Sequence, residues 1–154
     1  MKARATVLTL ALCFVGVAVC FAADGFMGTW KLNEAKSKIG PGAPKNSTVV
    51  YEPAGDNVKI TIDGTDGEGK PLHNEWTGKF DGNEYPVTGD PSVDMRSVKK
   101  VNDHTLTATQ MKDGKVVTTA RIVLSADGKT RTVTATGTDA KGNKISSTAV
   151  YDKQ

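Results

Sequence analysis

The sequence predicts an all-β domain, a single antiparallel up-and-down β-barrel of about 8–10 strands. Three observations carry that expectation. Turn signals recur at a nearly even pitch, roughly every 8–14 residues: Gly55-Asp56, Asp63-Gly64 through Gly69, Asp81-Gly82, Thr88 to Pro91, Asn102-Asp103, Asp113-Gly114, Asp127-Gly128, and Asp139 to Asn143. Asp and Gly accept the positive φ of tight hairpin turns, so this punctuation reads as a meander. Between the turns, apolar and polar residues alternate with period two, which gives a strand one buried and one wet face. No stretch of helical period exceeds two turns, and a meander of this length leaves two exposed edges unless the sheet closes.

The chain opens on a segment that reads as a secretory leader over residues 1–22. Lys2 and Arg4 form a positive start, Val7 to Val19 is almost wholly apolar, and Cys20-Phe21-Ala22 places small residues at −3 and −1 of a cleavage site after Ala22. Cleavage after Ala23 would put bulky Phe21 at −3. Ala5 to Ala23 is 19 residues, long enough for an uncleaved membrane anchor. Val17-Ala18-Val19-Cys20 also resembles a lipoprotein box, although Val19 is large for the residue before the cysteine. Export to a periplasmic or extracellular location is the expectation.

Cys13 and Cys20 are the only cysteines, and both lie in that segment. Residues 23–154, the expected barrel domain, therefore carry no disulfide framework, thiol nucleophile or thiolate metal site. At roughly 130 residues such a domain can bury about two-thirds of its unfolded surface, enough to stand on its core alone. Without Lys2 and Arg4 the balance is eighteen basic against seventeen acidic residues, so the apparent basicity belongs to the leader. That balance gives no footprint for nucleic acid or an anionic membrane.

Ten strands are expected: Phe26–Asn33, Ser47–Glu52, Val58–Asp63, Leu72–Phe80, Glu84–Val87, Val93–Val101, His104–Lys112, Val116–Ser125, Thr130–Gly137 and Ile145–Tyr151. Asn33–Lys38 is a short polar helical run with Glu34 and Lys38 at i,i+4 spacing, ended by Gly40-Pro41-Gly42-Ala43-Pro44. Val58, Ile60 and Ile62 share one face. Leu72, Trp76 and Phe80 share another, as do Val116, Ala120, Ile122 and Leu124. Inward candidates include the small or polar Ser97, Ala108, Thr118, Ala120, Ala135, Gly137, Ser147 and Ala149, and residues 23–154 hold seven aromatics. A ten-strand interior so lined is under-filled. It either holds a guest or water, or flattens into a sandwich.

Gly28-Thr29-Trp30 resembles the Gly-x-Trp start of the first strand in lipocalins and their calycin relatives. Gly28 to Leu32 and the closing Thr148 to Lys153 are similar to the two ends of fatty-acid-binding proteins. The resemblance implies that Trp30 is a structural plug at one end of the barrel, packed under a basic residue of the last strand. Ala149 and Val150 do not supply that residue. The resemblance also implies an Arg two residues before a final-strand Tyr, gripping a carboxylate. Ala149 stands there before Tyr151, so that clamp is missing, and the helical lid is reduced to Asn33–Lys38. The chain is most similar to short lipocalin-like proteins exported by bacteria.

No residue pattern points to catalysis. His73 and His104 sit at strand starts without a second ligand at metal spacing, and no Gly-x-Ser-x-Gly elbow occurs. Asp63 to Gly69 gathers three carboxylates among three glycines, a calcium-like composition without EF-hand spacing, and reads as a solvated hairpin loop. Asn46-Ser47-Thr48 is a formal glycosylation sequon. Val93 to Lys99 lacks clean alternation. If Val98 points inward, so do Arg96 and Asp94, and the guanidinium would pair a guest anion or Asp94. If Met95 points inward, Arg96 is a surface charge, the orientation the pattern favours.

The sequence-level reading is an exported, non-enzymatic binding protein for a small, partly apolar ligand, without cofactor or metal. Its expected wall contacts are Trp76, Tyr85, Arg96 and Tyr151, with Trp30 as plug. The alternative is a periplasmic protein-binding module, such as a protease inhibitor, docking through Gly40–Pro44. A lined cavity favours the first and a filled core with an exposed apolar loop tip favours the second.

Overall fold

A computed structural model describes residues 24–139 and 141–154. The leader reading, with Cys13 and Cys20, falls outside them. Every expected strand is present: β1 (Gly28–Leu32), β3 (Lys45–Ala54), β4 (Asn57–Thr65), β5 (Pro71–Gly78), β6 (Asp81–Thr88), β7 (Met95–Asn102), β8 (Thr105–Lys112), β9 (Lys115–Leu124), β10 (Thr130–Thr138) and β11 (Lys144–Lys153). One further strand, β2 (Lys38–Ile39), was not expected. From β3 to β11 each consecutive pair is antiparallel, and β1 pairs with both β3 and β11, so the sheet closes into an up-and-down barrel. Closure removes the exposed edges that an open meander would present.

Strand β2 continues β1 along β11. Trp30 to Leu32 face Lys153 to Tyr151, and after an excursion Lys38 and Ile39 face Thr148 and Ser147. The excursion is the reduced helical run, a single 3-10 turn over Glu34–Lys36 capped by Asn33. It is tied back to β11: Asn33 N–H donates to Val150 O at 2.8 Å, and the Val150 N–H donates to Ser37 Oγ at 2.9 Å. A backbone bond and the Ser37 hydroxyl thus satisfy β11 groups that a continuous strand would have satisfied itself.

Apart from the two-residue β2, the ladder is shortest between β5 and β6, where only Glu75↔Thr88 and Trp76↔Val87 register. Aromatic rings fill the splayed seam. Trp76 stacks on Phe80 at 6.4 Å between centroids, and Tyr85 meets Trp76 edge-on at 5.8 Å. Gly78 has no side chain because a Cβ there would lie 2.6 Å from both rings.

The alternation expected for β9 needs one correction. A bulge between Gln110 and Met111 sets Thr118 opposite Gln110 but Val116 opposite Met111. That extra residue shifts the parity, so Val116 is 58% exposed rather than on the inner face. Ser97 is also corrected: it pairs with Thr109 on the outer face, between buried Arg96 and Val98.

Candidate functional site

One end of the barrel is closed by its heaviest side chains. Trp30 is fully buried and its Nε1–H donates to Phe26 O at 2.8 Å, fixing the N-terminal turn beneath the sheet. Arg131 lies against it with 2% exposure. Its guanidinium sits 5.0 Å from the Trp30 ring, 4.9 Å from Tyr51 and 4.8 Å from Tyr151. Four neighbouring strands converge there: β10 supplies the cation, and β11, β1 and β3 one ring each. The basic residue of the last strand is present as well, since Lys153 registers with Trp30 and places Nζ 5.3 Å from its ring.

Beyond this end the interior is open. A cavity of about 140 Å³ is walled by Val49, Ile60, Ile62, Val98, Ile122 and Val133 and by the small residues Ala108, Thr118, Ala120, Ala135, Ser147 and Ala149. A cavity of similar size, about 150 Å³, is known to hold benzene. Six of the eight small or polar inward candidates therefore line it, and their missing bulk makes the space. At the mouth, Ile39, Ala43 and Pro44 cross the opening. Gly40 N–H donates to Ser146 O at 3.1 Å, Ala43 is 9% exposed, and the backbone of Gly67 passes too close to Gly42 O for a side chain at 67. The Gly40–Pro44 segment is thus packed onto the barrel rather than projecting from it.

Polar side chains are interspersed in this wall, among them Asn46, Asn74, Asp90, Gln110 and Arg131, and Arg96 is one of the most deeply buried. Val98 and Arg96 both point inward, at 2% and 3% exposure, which corrects the surface orientation favoured for Arg96. The reason is the regular pairing of Met95 to Lys100 with Met111 to Leu106, which needs no bulge at Met95. Arg96 Nη2 donates to Asn74 Oδ1 at 3.1 Å, while buried Nη1 finds no acceptor among the described residues. Burial pulls its pKa below the ordinary arginine value, partly offset by the charges of Tyr51 and Asp90. Asp94 is not its partner. The Asp94 carboxylate accepts Asp113 N–H at 2.8 Å.

Tyr151 lines the cavity and donates its hydroxyl to Asn46 O at 3.0 Å. Burial pushes that hydroxyl up to about 12, against a smaller opposing pull from the Arg131 charge. Trp76 and Tyr85 are corrections to the expected wall. Neither borders the cavity, because both rings are drawn into the β5–β6 seam. Trp76 Nε1–H donates to Arg96 O at 2.9 Å and the Tyr85 hydroxyl to Asp81 Oδ2 at 2.9 Å.

Two residues that matter here escaped the sequence reading. Arg131 alternates with Val133, Ala135 and Gly137 against five threonines, and Asn74 shares parity with Leu72 and Trp76. Period two alone would have placed both inside. The sequon residue Asn46 also lines the cavity. The remaining acidic features are used locally: Asp66 Oδ1 accepts Glu68 and Lys70 N–H, Lys70 pairs Glu68, and exposed His73 pairs Asp63 at 2.6 Å. Among the described residues no cluster of three His, Cys, Asp or Glu could hold a metal.

No protein-family model matches the chain, and a comparison with curated proteins finds no match. Among solved structures, a redesigned β-barrel bound to DFHBI is similar over 86% of this chain and 98% of its own, with 18% identity and a TM-score of 0.44. EF1p2_mFAP2b bound to DFHBI covers 86% of this chain and 97% of its own, with 15% identity and a TM-score of 0.48. Matches this distant carry no ligand from those proteins to this one.

Proposed function

We propose that the protein is an exported, non-enzymatic, lipocalin-like binding protein whose barrel cavity takes a small, partly apolar molecule. One observation carries this reading: a cavity of about 140 Å³ inside a closed barrel, with aliphatic walls such as Val49, Ile60, Ile62 and Ile122 and polar groups such as Asn74, Arg96 and Gln110 set among them. Ligand sites have this composition because apolar walls supply affinity and a few fixed polar groups supply orientation. The protein-binding alternative asks for a filled core and a projecting apolar loop tip. Among the described residues the exposed large hydrophobics are instead Val101, Val116 and Val123, all on strands. Native mass spectrometry of protein purified from an exported source without detergent tests the reading. A reproducible extra mass lost on denaturation supports it. A clean apo mass after incubation with mixed lipids and small metabolites counts against it and favours the protein-binding module.

A further inference from the structure

We infer that the outer face of β7–β11 binds an acidic polysaccharide, a linear sugar chain carrying carboxylate or sulfate groups. This surface lies outside the barrel and does not depend on the cavity or its guest. Charge is divided unevenly between the two halves of the sheet. Strands β7, β8, β9 and β10 contain no aspartate or glutamate, while β3–β6 hold Glu52, Asp63, Glu75, Asp81 and Glu84. Nearby acids are engaged at the strand ends. Asp94 accepts Asp113 N–H, Asp103 pairs Lys100, Asp127 accepts Lys129 N–H, Asp139 accepts Lys141 N–H, and Asp152 of β11 accepts the Asn33 amide. A chain whose charges nearly balance over residues 23–154 therefore presents one half-barrel of cationic strands.

Register sorts the outward side chains of this half into two rows. Lys99, Thr107, Arg121, Thr134, Thr148 and Lys38 follow one another across β7, β8, β9, β10, β11 and β2. Two residues along each strand, Ser97, Thr109, Thr119, Thr136 and Ser146 form a second row made only of hydroxyls. All of these side chains are exposed or half-buried. Among the described residues none of the three cations forms an ion pair, and the one side-chain hydrogen bond in the rows joins Thr119 and Thr136 at 3.3 Å. Neighbouring strands lie about 4.8 Å apart, so Lys99 and Arg121 stand about 10 Å from each other with a hydroxyl between them. An open groove of about 520 Å³ runs beside the second row, lined by Thr119, Thr136, Ser146 and exposed Lys144.

The chemistry of the rows selects the partner. Serine and threonine hydroxyls both donate and accept, as sugar hydroxyls do, so a row of them can bond a sugar chain. Lysine and arginine pair its acid groups, and Arg121 can do so through both arms of its fork. Other polyanions fit less well. Strands β7–β10 carry no aromatic residue on which a nucleic-acid base could stack. Val101 and Val123 stand near one end of the barrel and Val116 near the other, so they form no continuous apolar patch to enter a bilayer.

Biolayer interferometry against immobilised alginate, with heparin as a sulfated chain and dextran as a neutral one, tests this. At least one acidic chain should bind and dextran should not, and the binding should weaken several-fold between about 50 and about 200 mM salt. Lys99→Gln with Arg121→Gln should weaken it about threefold to thirtyfold, the range of two surface ion pairs. Lys45→Gln with Lys59→Gln, the same charge loss on the other half, should change it by no more than about twofold. Thr109→Val with Thr119→Val and Ser146→Ala keeps the charge, removes three hydroxyls and should also weaken binding several-fold. These positions are at the surface, so unfolding midpoints should stay near the wild type. The inference is overturned if neither acidic chain binds, if dextran binds as tightly, or if the two charge variants lose equally. It is also overturned if the hydroxyl variant binds unchanged, or if polyuridylate or phosphatidylglycerol vesicles bind more tightly than either polysaccharide. None of these chains fits a cavity of about 140 Å³, so failure here leaves the carrier reading untouched.

Discussion

The two buried arginines share one interior and are almost equally hidden, at 2% and 3% exposure, yet they do different work. Arg131 stands at the closed end with its plane among the faces of Trp30, Tyr51 and Tyr151, each about 5 Å away. Ring quadrupoles compensate its charge, and the result is a rigid plug. Arg96 stands on the cavity wall with one amide partner and an unpaired Nη1, whereas Arg131, which also borders the cavity, leaves Nε and Nη1 without an acceptor among the described residues and relies on the rings. Burial alone therefore does not assign a role to a buried cation. The groups around it decide how its charge is compensated.

That contrast can be broken or sharpened by four measurements. The largest effect belongs to the closed end: Trp30→Ala should cost about 3–5 kcal/mol in chemical denaturation, the range of large aromatic core truncations. A loss under about 1 kcal/mol would mean that Trp30 is no plug.

Alkaline titration comes next. The folded Tyr151 hydroxyl titrates at about 12 against 10.0 for the ordinary phenol. Folding therefore holds its proton where the unfolded chain releases it. The stability tied to this residue is full below pH 10 and lost as pH rises through about 12, to a total of about 3 kcal/mol. Denaturation midpoints across that window should fall in the wild type and fall less in Tyr151→Phe; parallel curves would place the hydroxyl in water.

Methionine substitution separates the arginines by sign. Arg131→Met removes a cation from three ring faces and should cost about 2 kcal/mol. Arg96→Met combined with Asn74→Leu replaces an incompletely paired polar group by an apolar one and should be neutral or stabilising by about 1 kcal/mol. Guanidinium unfolding curves at constant slope read both. If the two variants lose stability equally, the wall arginine is as structural as the plug.

Much of this barrel was legible in the sequence, and unevenly so. The strands of residues 28–153 follow from Asp-Gly turns because a left-handed turn position is a local demand. Asp113 at φ 50° and Gly114 at φ 72° show it directly. The under-filled interior was legible too, since Ala108, Ala120, Ala135 and Ala149 carry their small volume in their names. Trp76 and Tyr85 were misassigned because composition cannot reveal that the β5–β6 ladder stops after two pairs and needs rings to fill it. Val116 was misassigned because a bulge is a pairing event between two strands.

What the sequence by itself determined is the all-β class, the strand order of a meander and the scarcity of interior bulk. Each of these depends on residues within one turn of each other or on composition. What only the tertiary structure decided is the inner face of Arg96, the caging of Arg131 and the position of the cavity between them. Those depend on register between strands distant in the chain: Arg131 meets Tyr151 across 20 residues, and Trp30 meets Lys153 across almost the whole barrel. A one-residue change of register turns every side chain of a strand to the opposite face, so chemistry inside a barrel is set by closure and not by the residues alone.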